Sequence, residues 1–589
     1  MIVPMKKIYV FFVGGSKEQT EKVSLKLRDI GALHIEASIT QSQYRADINK
    51  ALNILNRLKK QPQTSGSKDA AFYVKEILSL DAEKKQQQAV LKELERVQLW
   101  YKTWGSLSLS TIKQINDGSV FINLYNIKTE DFDPSVLDDD KIFILAKTKT
   151  AVRLMQVSFN ENTKLEGIKK EPLPAIDISE LPERFKNADS KIEAIDSRLS
   201  ELAGHVNVIK DAIAVEDKKL ELEAVRKRGI RGVDVEGVAC VEAFIPADKI
   251  ADFEKSAEAN GWGVSQRDPV PEDDPPTLLK SPKIIQPVHA LYDIIGLNTG
   301  YYEADVSFIF YLFFIVFTAL LLGDAGYGSL FLLLTLFGHI KSKNPDLKLL
   351  TLGYVLSTAT ITWGALIGNW FGSETIAGLP FIQRMTIPAL ASFDLAHGGL
   401  KDSTNIMMRI SFGIAIIHLT LAHLISFGQK IKSLDAIGQL AWIGFLAGIY
   451  MLLGNLIFKD ELHPYFMHQM VVSMILILLF SDTTGGIVNG IKSTALTAPF
   501  DFIGGLSDVA SYLRLFAVGT AALMLASVFN NLAEGTGIFA PFIILIGHAF
   551  NIVLALFGVF VHATRLETVE FSNHAQLEWA GKKYKPFKV

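Results

Sequence analysis

The spacing of apolar and polar positions divides the chain near residue 300. Before that point apolar residues fall in short alternating or heptad-spaced runs among many charges; after it they form long continuous stretches. Alternating runs predict strands, heptad spacing predicts paired helices, and long apolar stretches predict membrane spans. "KKIYVFFVGG" predicts a strand, residues 16–29 a helix and "LHIEAS" a second strand, together a small α/β lobe. The "GGSK" at 14–17 lacks the GxxxxGKS/T spacing of a phosphate loop and reads as a strand–helix turn.

Residues 45–105 are helical and polar, with a break near "QPQTSGS". Further on, Ile192, Ile195, Leu199, Leu202, Val206, Ile209 and Ile213 step alternately by three and four, which is a heptad seam that needs a partner. Leu94, Val97, Tyr101 and Trp104 offer one, so the segments 45–105 and 176–228 are expected to form the arms of an antiparallel coiled coil. Between them "SVFINLYNI", "KIFILAKT" and "AVRLMQVSF" predict strands of a distal α/β lobe (106–175). The run "GVACVEAFIPADKIADFEKSAEANGWGVSQRD" reads strand–helix–strand and assigns 229–267 to the first lobe with 1–44. The expected fold of 1–267 is an elongated α/β dumbbell. "DPVPEDDPPTLLKSP" opens a linker, taken as 268–303.

Eight apolar segments follow, at about 306–322, 325–340, 349–371, 404–428, 434–458, 462–480, 503–530 and 538–572. The region 304–575 is therefore expected to be an α-helical membrane domain of about eight transmembrane helices, ending in a cytoplasmic tail, 576–589. Loop charges orient it by the positive-inside rule. Lys341, Lys343 and Lys348, then Lys430 and Lys432, then Lys492, and finally Lys582, Lys583, Lys585 and Lys588 fall on one side. The loop 372–403, on the other side, balances Arg384 and Lys401 with Glu374, Asp394 and Asp402. The bias puts both ends in the cytoplasm. The last segment is long for an upright span, so it is expected to tilt strongly or to begin later, after Pro541.

Composition agrees with the division. Residues 301–589 hold only 16 of the chain's 59 Lys+Arg and 17 of its 62 Asp+Glu. Neither half is basic enough to suggest nucleic acid. The single cysteine, Cys240, excludes an intramolecular disulfide framework and a Cys-rich metal site. The first apolar stretch is too short for a signal peptide, so the N-terminal half is expected to stay in the cytoplasm.

The candidate chemistry lies in the spans. Arg514 is the eighth residue of the run "SDVASYLRLFAVGTAALMLASVF" (507–529), and Arg565 lies in the last segment. A helix-centre arginine costs roughly 2.5–3.5 kcal/mol on insertion scales, so such residues face a cavity or a partner. Ser507, Ala510, Ser511, Ala517, Val518 and Ala521 surround Arg514 at helical spacing, a small-residue face that admits close approach by another helix. No carboxylate lies within four residues of Arg514; its counter-charge is expected from Asp501, from the last helix, or from another subunit. Further polar candidates for ion pathways are His562, Glu567, Glu570, Asn551, His548, Glu534 and Asp482. His418 and His423 are spaced i,i+5, not the i,i+4 of a helical metal site, and no metal or cofactor is assigned.

"LSDVASYLRLFAVGTAALMLASVFN", "HATRLETVEF" with "YKPF", "GDAGYG", and "DDPPTLLKSPKIIQPVHALYDIIGLNTGYYEADVSF" together resemble the membrane stator subunit of V-type and A-type rotary ATPases. That family is called subunit a in eukaryotes and subunit I in prokaryotes. The resemblance implies a non-catalytic subunit in a prokaryotic cell membrane that faces a rotor ring of small membrane subunits. It implies further partners in peripheral stalk subunits of the E/G type and other Vo subunits. It implies that Arg514 and Arg565 meet the rotor carboxylates, with H⁺ or Na⁺ passing through two half-channels, and Asp501 at a half-channel position. Ser281, Asn298 and Val306 depart from the family pattern in the linker, but both arginines are kept. A secondary transporter would instead call for an internal repeat and interrupted helices, and no clear repeat is visible. A structural tether would leave Arg514 and Arg565 without a purpose.

Overall fold

The computed structural model describes residues 1–588 except 14–16, 37–41, 59–68, 106–108, 119, 135–140, 161–164, 166–167, 226–229, 233–236, 343, 394–398 and 484–485. The "GGSK" turn and the "QPQTSGS" break therefore lie largely or wholly outside the described residues. The chain forms two compact units, one of Met1–Glu36 with Arg231–Val589 and one of Ala37–Ile230.

In the unit Ala37–Ile230, a 35-residue helix, Ala70–Trp104, packs along Leu181–Leu202. The pairing is antiparallel. Tyr73, Val74 and Ile77 share a core with Leu199 and Leu202, whereas Leu94, Val97 and Tyr101 at the other end pack near Leu181. The heptad seam faces inward at Ile195, Leu199, Leu202 and Ile209. Its partner differs from expectation. The seam meets the start of the long helix together with Gln43–Leu55, and not Leu94–Trp104. A 3₁₀ turn at Ala203–His205 interrupts the seam, so the two helices do not keep one register throughout. The expected strands form at Phe121–Lys128, Ile142–Lys147 and Ala151–Ser158. With Lys170–Glu171 they make a four-stranded antiparallel sheet, whose Tyr125, Val152 and Leu154 are fully buried.

In the other unit, Met5–Val13 lies inside a sheet, flanked antiparallel by Val238–Pro246 and Gly263–Arg267. Its burial alternates at Ile8, Val10 and Phe12, as its sequence does. Helices Lys17–Ile30 and Ile250–Ala259 complete the lobe. "LHIEAS" does not form the expected strand. Among its described residues only His34 bridges to Phe244.

The linker is folded. Asp273 accepts from Lys7 Nζ at 2.8 Å, from Arg267 Nη1 and Nη2 at 2.6 and 2.8 Å, and from the Val270 amide at 2.9 Å. The Arg267 guanidinium chiefly, then Lys7, holds the Asp273 carboxyl well below its ordinary value of 3.8. A carboxyl with a depressed folded pKa stabilises the fold fully above its unfolded value, and loses that contribution as pH falls through the folded one. Acid below the ordinary value is thus expected to loosen this lobe. Asp273→Asn should flatten that part of the profile when thermal unfolding is followed against pH. An unaltered acid limb would refute the assignment.

Residues 576–588, expected as a tail, are anchored within this unit. Tyr584 donates to Ala32 O at 2.6 Å, the Phe587 amide to Leu33 O at 2.7 Å, and the Thr277 amide to Lys582 O at 2.6 Å.

Among the described residues, the long helices of the apolar half are α1 (Ser307–Leu322), α2 (Ala325–Lys341), α3 (Leu347–Leu366), α4 (Gly399–Lys430), α5 (Asp435–Phe458), α6 (Phe466–Phe480), α7 (Ile487–Ser511), α8 (Leu513–Glu534) and α9 (Ala540–Gly558). Among the described residues, five stretches are long and apolar enough to cross a membrane: Leu347–Leu366, Ser403–Lys430, Asp435–Phe458, Thr494–Glu534 and Gly537–Ala575. The other three expected spans are helices of 16, 17 and 15 residues. At 1.5 Å per residue they reach about 22–26 Å, short of a hydrocarbon core of about 30 Å. Lys492, assigned above to a loop, lies within α7.

Lipid is as apolar as a leucine side chain, so close packing and polar contacts must hold such helices together. "GDAGYG" does this at the α1–α2 turn. Asp324 Oδ1 accepts from the Tyr327 and Phe371 amides, both at 3.0 Å, and Asn369 Nδ2 donates to Gly323 O at 2.7 Å. A Cβ on Gly364 would collide with the Asp324–Ala325 backbone, so only glycine lets α3 lie this close.

Candidate functional site

Arg514 does not sit deep in a single helix. The segment expected as 503–530 begins at Ile487, and its ladder breaks at Tyr512. There the Tyr512 amide bonds to Val509 O and the Leu515 amide to Tyr512 O, both i→i+3. Arg514 therefore lies in the first turn of α8, where its Nε donates to Ser511 O at 2.8 Å.

The last helix starts at Ala540, with Pro541 in its first turn and not before it, so the later start expected after Pro541 is not found. Beyond Gly558 it winds as π-helix over Val559–Ala563 and again over Leu566–Phe571. The two wide stretches flank Arg565. Winding with i→i+5 bonds brings residues five apart towards one side, which an α-helix does not do. Arg565 and Glu570 are five apart, and Arg565 Nε lies 3.3 Å from Glu570 Oε1. The same oxygen accepts from Arg514 Nη2. Two arginines from different helices thus converge on one carboxylate that is 1% exposed. Of the three sources expected for the counter-charge, the last helix supplies it. Asp501 is exposed on α7 and makes no pair with Arg514.

The small-residue face survives the helix break. Ser507, Ala510, Ala517 and Ala521 are exposed and Ser511 is half-buried, with the partly exposed Arg514 among them.

Behind the arginines lies a buried polar chain. His418 Nδ1 lies 2.7 Å from the Tyr512 hydroxyl, and His418 Nε2 lies 3.5 Å from Glu567 Oε2. His418 and Glu567 are fully buried, and the rings of Phe313 and Phe571 stack on the imidazole at 4.1 and 4.4 Å. Glu567, expected along an ion pathway, is closed off here. A second chain joins Gln439 to His423 at 2.8 Å, His423 to His574 at 2.8 Å, and His574 to Asp508 at 3.1 Å. The sequence reading passed over Tyr512, Asp508 and His574. The first two lie inside the stretch quoted for Arg514, polar groups in an apolar run, which was the signal available.

A third cluster joins α2, α8 and α9. His548 bonds to Tyr327 at 2.7 Å and to Asn530 at 3.0 Å, and Asn551 Nδ2 donates to the Tyr327 hydroxyl at 3.0 Å. Asp482, Asp501 and Glu534 are exposed, and His562 is half-buried. Among the described residues, no group of three or more His, Cys, Asp or Glu could hold a metal ion.

Five stretches of spanning length and apolarity, with charged groups gathered among them, define a membrane protein. The chain is 29% identical over 629 residues to V-type ATP synthase subunit I of Borreliella burgdorferi, covering 100% of this chain and 99% of that one. It is 26% identical to V-type ATP synthase subunit I 1 of Treponema pallidum, over the whole of both chains. It is also 26% identical to A-type ATP synthase subunit I of Methanocaldococcus jannaschii, over 75% of this chain and 70% of that one. No protein-family model matches. A solved cytoplasmic N-terminal domain of subunit I, a homolog of subunit a of V-ATPase, covers 44% of this chain at 14% identity, with a TM-score of 0.24, too loose a fit to carry a fold assignment. The family resemblance drawn from the motifs therefore extends along the full chain: it is similar throughout to subunit I of V-type and A-type ATP synthases.

Proposed function

We propose that the chain is the stator subunit of the membrane (Vo) sector of a V/A-type rotary ATPase. It binds no nucleotide; it forms two ion half-channels against a rotor ring of small membrane subunits. The observation that carries this reading is the convergence of Arg514 and Arg565 on buried Glu570 beside an exposed strip of small residues. The strip lets rotor helices pass closely. A rotor carboxylate that reaches the arginines is favoured in its ionised form. Its ion leaves to one half-channel before the site passes, and another loads from the opposite one. Arginine stays protonated, so the pair acts as fixed charge and blocks a direct leak. Asp501, His562, Glu534, Asp482 and the His548–Asn551 cluster are the groups proposed to line the half-channels.

In this reading residues 1–267 lie in the cytoplasm and hold the peripheral stalks, 268–303 connect, 304–575 cross the membrane eight times, and 576–589 return to the cytoplasm. Purification from native membranes in mild detergent tests it. The chain is expected to elute with a small, very apolar rotor protein and with nucleotide-binding ATPase subunits. A chain that elutes alone from intact membranes would contradict the reading.

A further inference from the structure

Glu570 is almost wholly buried, whereas the side chains of the arginines that it holds are 22% exposed at Arg514 and 56% at Arg565. The carboxylate therefore stands behind and the guanidinium groups in front, beside the exposed small residues. Oε1 takes both arginines; Oε2 has no hydrogen-bond partner among the described residues. A buried carboxylate stripped of its last cation is strongly destabilising. Two arginines on one carboxylate avoid that state, because one can leave while the other stays.

We propose that Glu570 is the resident counter-ion of the arginine pair, exchanged one arginine at a time for each visiting carboxylate. This rests on the stator reading above. Arg514 turns from Glu570 to the visitor while Arg565 keeps Glu570 paired; the visitor departs when Glu570 takes Arg514 back. No covalent bond forms and no proton need move between Glu570 and the arginines. Glu570 is thus a positioning and releasing residue. Its competition keeps a charge-assisted hydrogen bond from holding the visitor too tightly.

The test is Glu570→Gln in the complete complex, reconstituted into vesicles. Without a competing anion the arginines hold each visitor longer. ATP hydrolysis and ATP-driven ion pumping should both slow by about tenfold, the worth of one charged hydrogen bond, with the ratio of ions to ATP preserved. A residue that only supported local structure would instead uncouple the two, with hydrolysis continuing while pumping fails. That outcome overturns the proposal, and so do normal rates for both. Should the glutamine variant not assemble, Glu570→Asp keeps the charge but withdraws it by one methylene. A smaller slowing of both activities together is then expected, and unchanged activity overturns the proposal. Arg514→Ala separates the two levels of inference. If it stops pumping while Glu570→Gln leaves it normal, the stator reading stands and this exchange alone fails.

Discussion

Arg514→Ala in the assembled complex is expected to lower ATP-driven ion pumping about a hundredfold or more, the scale of removing one preorganised charge-stabilising group. The complex should still assemble, because Arg565 remains 3.3 Å from Glu570 and keeps the buried carboxylate paired. What is lost is the fixed positive charge on the small-residue strip. Without it the visiting carboxylate has less reason to ionise, and the barrier between half-channels weakens. Arg514→Lys should recover part of the rate, since it restores a charge without the fork that reaches both Ser511 O and Glu570. Pumping at the normal rate by an intact Arg514→Ala complex would sink the central claim.

The second large effect is expected at His418. It reaches Tyr512, two residues before Arg514, and Glu567, two residues after Arg565. It therefore touches both arginine-bearing segments through their buried neighbours. His418→Ala should destabilise the protein by about 2–5 kcal/mol, since it leaves the buried Tyr512 hydroxyl without its imidazole partner and opens space between two stacked rings. Glu567→Gln keeps the shape of the site and should cost far less. Thermal unfolding of the purified protein in detergent reads both. Equal melting of His418→Ala and the native chain would show that the imidazole braces nothing.

Legibility in the sequence followed the range of the interaction. Three of the four strands of each sheet were visible because alternation records a local event, one face buried and one not; the short strands Ile230–Gly232 and Lys170–Glu171 were not. The strand at Met5–Val13 shows it directly at Ile8, Val10 and Phe12. "LHIEAS" carried the same local pattern and failed, because its described residues gain only one bridge, at His34. The heptad seam was correct about which residues turn inward and wrong about what they meet. Spacing specifies a face, not its partner. The break at Tyr512 was invisible because both sides of it are good helix, and the turn tightens only over a few i→i+3 bonds.

The sequence alone therefore determined the division into a charge-dense and an apolar half, the two arginines, and the strip of small residues beside Arg514. These follow from composition and regular helical spacing. Only the tertiary structure decided the counter-charge. Glu570 is 56 residues from Arg514, and a regular α-helix would turn it away from Arg565 five residues before it. Two stretches of π winding bring it round, and the packing of α8 against the last helix brings it to Arg514. In a medium with little water a charge is settled by whichever opposite charge the fold delivers within reach, and no local spacing encodes that choice.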